Sequence, residues 1–325
     1  MGGRDAARGG ADLRQGMTAD LRPSWQNRMR SDRDLGRIDR NLDVAFRDSI
    51  RADGSVRGNR GVGGDLTAGN WLDRHPDRAN HWADWGDHVR NNWHDDHHHH
   101  SHFNNHFWAL HNVFFPWGYG YYWHSPWPWS YWWGFPTWNS CVGWFPGWGW
   151  NTPYYYDYGV GGNVVYSGGG VCVNDQPVGT AAEYAQSAAA LATVDPANIN
   201  RQAGGEWLPL GTFALAADQN DTSPRRVVQL AVDKQGIVSG TMYDEVTDKT
   251  FPIQGRVDKQ TQRVAFTIGD NPDVVMETGL YNLTQEQTPV LIHKGKDDTD
   301  TNLLIRLKQP AQTQTPQPPA PGRER

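Results

Sequence analysis

The chain has 325 residues and a formal net charge of −6, room for two ordinary domains or for one domain with long irregular segments. The charge excludes a whole-chain cationic field for nucleic acid, and two cysteines exclude a disulfide-dense scaffold. No run of about 18 apolar residues is present to cross a membrane as a helix.

The opening MGGRDAARGGADLRQG lacks the charged start, apolar run and small-residue cleavage site of a secretory leader. Taken literally it places the chain in the cytoplasm. The aromatic composition described below favours export instead, with a leader upstream or already removed.

Composition divides the chain. From Met1 to Ala182 there is no Lys and no Glu; the first Glu is Glu183 and the first Lys is Lys234. Such a shift marks a change of module. Residues 1–70 are Arg-, Asp- and Gly-rich and are expected to be partly disordered. Trp25, Met29, Leu35, Ile38, Leu42, Val44 and Phe46 recur there at loose helical spacing, which predicts one or two short helices. The stripe is too thin for an independent core.

Residues 71–158 form a His- and Trp-rich region. Between Asn80 and Phe115, Trp82, Trp85, Val89, Trp93, Phe103, Phe107, Leu110 and Phe114 fall at steps of three to four, predicting one long helix that Pro116 ends. In it His94, His98, His102 and His106 are spaced i, i+4, one axial row on a continuous helix. Neighbouring members could chelate a divalent metal, with Asp95 and Asp96 as ligands or orienters. The pattern is not HExxH, and histidine-rich tracts also occur as solvated polar faces or as groups that gain charge as pH falls. No residue is assigned as a metal ligand.

The segment 114–158 is densely aromatic, and 15 of the 17 tryptophans lie between Trp71 and Trp150. Pro and Gly punctuate it too often for a long helix or a regular strand. Its rings could stack on sugars or sit at a membrane interface. They could also form an irregular core, or an assembly surface for another copy or a protein partner. Cys141 and Cys172 could pair in an oxidising compartment or stay as thiols.

Residues 159–204 read as a hairpin, a helix and a linker. Asn163–Tyr166 and Val171–Val173 are β-prone, and Asn174-Asp175 makes a turn before Gln176–Val178. Thr180 and Glu183 form a capping box for a helix from Ala181 to about Ala192, which Pro196 stops.

Residues 205–308 change to strands: 207–217, 226–233, 236–243, 249–257, 262–269, 274–282, 288–294 and 301–308. Val264, Phe266 and Ile268 share one face, while Arg263, Ala265 and Thr267 share the other. Short turns force antiparallel neighbours. Eight in series predict a small up-and-down barrel, with a sandwich as the alternative. Gly211, Gly240, Gly255 and Gly279 suit sharp bends. The lone His293 reads as structural, and a filled barrel is favoured over a ligand cup. Residues 309–325 form a Pro-rich tail. The fold class is thus a multi-part α+β chain, with a helical and irregular N-terminal region before an antiparallel β-barrel.

GTFALA, GIVSGTMYDEVTDKTFPIQGRVDKQTQRVAFTIGDN, VVMETGLYNLTQEQTPVLIHKG and LLIRL resemble the C-terminal region of the mu-protocadherin-like cell-surface proteins of planctomycetes. RANHWADWGDHVRNNW and YDYG…VVY…VCVNDQPVGTAAEYAQ are similar to their middle portion. The resemblance implies a cell-surface or extracellular location but brings no catalytic, cofactor-binding or metal-binding residue. The expectation is a non-enzymatic surface or envelope protein that assembles through its aromatic segments with protein partners or with itself. It takes no cofactor and no nucleic acid. Membrane or carbohydrate contact through the aromatic segment stays open, as does a binding module for a divalent metal or a small ligand.

Overall fold

A computed structural model describes residues 68–96, 102–111, 128–150, 152–194, 206–269, 271–296 and 298–310. The helices expected within 1–50, His98, and the start of the aromatic run at 114–127 lie outside the described residues, as do most of the linker and the tail.

Eight strands form the closed antiparallel barrel expected from the turns: β4 (Trp207–Ala216), β5 (Arg226–Asp233), β6 (Ile237–Asp244), β7 (Lys249–Val257), β8 (Arg263–Ile268), β9 (Val274–Gly279), β10 (Gln287–Lys294) and β11 (Asp298–Arg306). Each pairs with the next, and β11 returns to β4 with Leu303 opposite Ala216 and Arg306 opposite Phe213. Closure leaves no open edge, which separates this fold from a sandwich. The alternation sets the two faces. Leu210, Phe213, Leu230, Ile253, Phe266 and Leu304 fall in one buried cluster. Each such side chain contributes about 1.5–3 kcal/mol through burial. Ala214, Ala216, Val227, Leu303 and Ile305 point the other way.

Two glycines make the closure possible. Gly211 has φ +131° beside a register shift between Pro209 and Gly211, and a Cβ there would lie 2.0 Å from the Arg306 guanidinium. At Gly255 a Cβ would meet the Ala265 carbonyl oxygen at 2.1 Å, so β7 and β8 approach too closely for a side chain.

The upstream elements wrap the outside of this barrel and cover one of its ends. They are α1 (Ala68–Arg74), α2 (Pro76–Asp96), α3 (Asn105–Leu110), a 3₁₀ turn (Trp129–Trp133) and α4 (Trp138–Trp144). After them come the meander β1 (Val164–Ser167), β2 (Gly170–Val173), β3 (Gln176–Thr180) and helix α5 (Ala181–Ala192). Trp82, Trp85, Val89, Phe103 and Phe107 pack on the outward residues of β4, β5 and β11. Ala188, Ala189 and Ala192 pack on Ala265 and Val275. Asn174 and Asp175, at φ 52° and 60°, make the tight turn between β2 and β3. The Thr180–Glu183 capping box starts α5 as expected.

The long helix from Asn80 to Phe115 is corrected. It is two helices, with Phe103 at φ 59° between them and Asn104 accepting the Phe107 N–H to start α3. Turning the chain at Phe103 lets Phe103 and Phe107 reach the same barrel wall as Trp82 and Trp85. None of the described helices is long and apolar enough to cross a membrane.

Candidate functional site

The break at Phe103 dismantles the axial histidine row. His94 ends up near the close of α2, His102 in the turn after it, and His106 on α3. His102 is buried and its Nε2 lies 3.3 Å from Glu245 Oε1, while His106 is exposed. Among the described residues no group of three His, Cys, Asp or Glu side chains is placed to hold a metal ion. The sequence spacing assumed one continuous helix; of the row, His102 is the member shown against the barrel, and His106 faces solvent.

The aromatic segment covers one end of the barrel. Cys141, Phe145 and Trp150 join the interior cluster directly. The Trp150 indole donates to the Lys259 carbonyl at 2.7 Å, fixing the segment to the β7–β8 turn. Trp138 stacks on Trp150 at 5.8 Å, and Trp148 meets both Phe145 and Trp150 edge-on or tilted at 4.4 and 5.0 Å. No tryptophan among the described residues is exposed, but Trp138, Trp144 and Trp148 are only partly buried, and Phe135, earlier in the same segment, is 52% exposed. Lys234 lies over the Trp144 ring at 4.2 Å and Lys259 over Trp148 at 5.9 Å. This end face is a packed aromatic platform with two lysines across it.

Arg306 seals the same end from within. It donates to the Leu210, Leu283 and Gln285 carbonyls at 2.9, 2.5 and 3.1 Å. Its guanidinium sits between the Phe135 and Phe213 rings at 4.1 and 4.6 Å. Burial without a bonded carboxylate pulls its pKa down to about 10. Burial likewise pushes the Cys141 thiol up to about 12, which leaves it unreactive. Both thiols are free. Cys141 packs into the barrel end and Cys172 lies on β2, and the loop that their pairing would close is not formed.

Two buried polar clusters tie the wrapping to the barrel. On the outward face of β8, β9 and β10, Glu277 accepts from Arg263 Nε at 3.0 Å and from the Tyr184 hydroxyl at 2.9 Å, with His293 Nε2 at 3.0 Å. Arg263 also bonds Glu277 through Nη2, donates to Ser187 at 2.7 Å and lies 4.3 Å over the Tyr184 ring. Burial alone would raise the Glu277 carboxyl. The Arg263 charge, then that of His293 and their hydrogen bonds, hold it at about 2. Burial drives Tyr158, Tyr166 and Tyr184 upward, so these phenols stay protonated.

The second cluster centres on Asp157. It receives Arg78 Nε and Nη2 at 2.9 and 2.7 Å and the indoles of Trp82 and Trp71 at 2.9 and 3.3 Å. Sequence reasoning missed both carboxylates. The available signal was modest: Arg263 and Glu277 fall on outward positions of neighbouring strands, and Asp157 stands alone in a run of tyrosines.

No family model, curated protein or solved structure matches the chain.

Proposed function

We propose that the protein is a non-enzymatic surface protein of the cell envelope that meets its partners through the aromatic platform at the sealed end of its barrel. The observation that carries this reading is the partial exposure of Trp138, Trp144 and Trp148, together with exposed Phe135 on the same segment, which Phe145 and Trp150 anchor in the barrel interior. Indole and phenyl faces left partly in water lose that cost when covered, at about 25 cal/mol per Å². Tryptophans already packed on neighbouring rings lose little further conformational entropy on contact. Most of the described aromatic rings serve the chain's own packing, so the contact face is this end rather than the aromatic region as a whole.

The same barrel reads as a scaffold, since its interior is occupied by its own side chains from Leu210 to Leu304. The surface location is the one implied by the resemblance to mu-protocadherin-like proteins.

Sedimentation of the purified full chain, and its distribution between soluble and envelope fractions, test the reading. Wild type is expected to self-associate or to travel with the envelope, and Phe135→Ser with Trp144→Gln to shift it to monomer and to the soluble fraction. A monodisperse wild-type monomer found only in the soluble fraction overturns the proposal. Binding of an insoluble polysaccharide lost in the same variant would redirect it to carbohydrate.

A further inference from the structure

The meander β1–β3 and helix α5 pack over Glu277, and two of the phenols they bring there end without a protein partner. Tyr158 bridges to Val164 at the start of β1 and is 1% exposed, while Tyr166 stands within β1 and is partly buried. Both hydroxyl oxygens are sealed from solvent, and among the described residues neither has a hydrogen-bond partner. Their neighbours in the same cluster differ. Tyr156 donates its hydroxyl to the Thr261 carbonyl at 2.8 Å, and Tyr184 donates its own to Glu277 Oε1 at 2.9 Å.

Glu277 supplies the complementary capacity. Its Oε2 is crowded by Arg263 Nε and Nη2 and by His293 Nε2. Its Oε1 takes the Tyr184 hydroxyl, which uses one of about two lone-pair sites on an ionised carboxylate oxygen. After burial itself, the Glu277 charge is what most raises the Tyr158 and Tyr166 phenols, so both unpaired donors lie in reach of its field. The other walls are the apolar side chains of Val164, Val173, Val178 and Leu291, which can accept neither O–H.

A phenol left unpaired in so dry a place costs more than a phenylalanine there would. Two donors and one spare acceptor are the set that a single water molecule satisfies, since it accepts two hydrogen bonds and donates two. We propose that a buried water molecule is a fixed part of this contact, accepting from the Tyr158 and Tyr166 hydroxyls and donating to Glu277 Oε1. Arg263 and His293 then hold one oxygen of the carboxylate from the barrel, and Tyr184 with the water holds the other from the wrapping layer. The polar tie between meander and barrel thus passes through this water.

Magnetic relaxation dispersion of the water signal counts long-lived internal waters, and it is applied to the full chain and to Tyr158→Phe with Tyr166→Phe. The variant is expected to lose about one such water relative to wild type. An equal count in the two proteins overturns the proposal. Urea midpoints of the two single variants give a second reading, because removing a hydroxyl that is bonded to the water lowers the midpoint. A midpoint equal to or above that of wild type in both means that the hydroxyls have no partner to lose, and overturns it as well. Should the variants fold poorly, the wild-type chain suffices. Nuclear Overhauser contacts from a slowly exchanging water to the ring protons of Tyr158 and Tyr166 support the site, and their absence overturns it.

Discussion

Arg78 grips Asp157 through two nitrogens, at 2.9 and 2.7 Å, across 79 residues of sequence. The Asp157 side chain is wholly buried, and the indoles of Trp71 and Trp82 complete its shell. One carboxylate thereby gathers α1, α2 and the tyrosine run before β1. The spare Arg78 donor capacity goes to the Tyr158 carbonyl at 2.8 Å.

Asp157→Asn turns an amide N–H₂ toward donors and leaves Arg78 partly buried without its counter-charge. Removing one member of a buried pair typically costs about 3–5 kcal/mol. The melting temperature is expected to fall accordingly, with an early change in tryptophan emission as Trp71 and Trp82 meet water. Replacing both partners by apolar residues, Arg78→Met with Asp157→Leu, is expected to cost less than the single change. A double-mutant cycle by chemical denaturation checks this.

Glu277 governs the behaviour in acid. Its carboxyl titrates near 2 in the folded chain against about 4.3 for an unfolded glutamate. The depressed value means that the unfolded chain binds the proton first. The stabilisation is present above about pH 4.3 and is lost as pH falls toward 2, a change of about 2–3 kcal/mol. Denaturation midpoints between pH 2 and pH 5 are expected to trace that loss. Glu277→Gln should flatten this part of the profile while lowering stability at pH 7, because Arg263 then stays buried without its partner.

The barrel was legible in the sequence because its signal is local. Val264, Phe266 and Ile268 alternate with Arg263, Ala265 and Thr267, and short turns left few ways to connect eight strands. The helix break at Phe103 was not legible. Its cause is tertiary: Phe103 and Phe107 gain the barrel wall only if the chain turns there, and the periodicity of Trp82 to Phe114 carries straight through the gap. The aromatic run showed that one long helix and a regular strand were excluded, but not that a short helix would form at Trp138–Trp144 or which rings would be buried. That division depends on where Phe145 and Trp150 enter the barrel end. Glu277 was equally hidden, since an outward-facing charge on a strand looks solvated until α5 is known to lie over it.

Asp233 is the opposite case to Glu277. Burial raises its carboxyl to about 6, with the N–H groups of Ile237 and Gln235, at 2.8 and 2.9 Å, pulling the other way. A folded value above the unfolded one means that the native turn holds the proton longer, so stability declines as pH rises from about 4 to about 6. Asp233→Asn keeps an oxygen for both N–H groups and removes the buried charge. It is expected to raise stability by about 1–2 kcal/mol at pH 7 and to have little effect at pH 4. Urea midpoints at the two pH values provide the check.

Gly211 and Arg306 form the tightest steric pair at the sealed end. A methyl group at Gly211 would lie 2.0 Å from Arg306 Nη1 and 3.2 Å from the Phe213 ring, at a backbone φ of +131° that L side chains rarely adopt. Arg306 cannot yield freely, because Phe135 and Phe213 enclose it and four carbonyl groups, of Gly134, Leu210, Leu283 and Gln285, hold its nitrogens. Gly211→Ala is therefore expected to destabilise the fold by about 2–4 kcal/mol, through backbone strain together with displacement of a buried cation. If displacement contributes, Gly211→Ala in an Arg306→Met background should cost measurably less than in wild type. Strain at φ alone would give the same loss in both, and thermal denaturation of the four proteins distinguishes these outcomes. The sealed end should also protect Cys141. A thiol reagent is expected to modify Cys172 in folded wild type and to reach Cys141 at a comparable rate only in Gly211→Ala, where the end face has loosened.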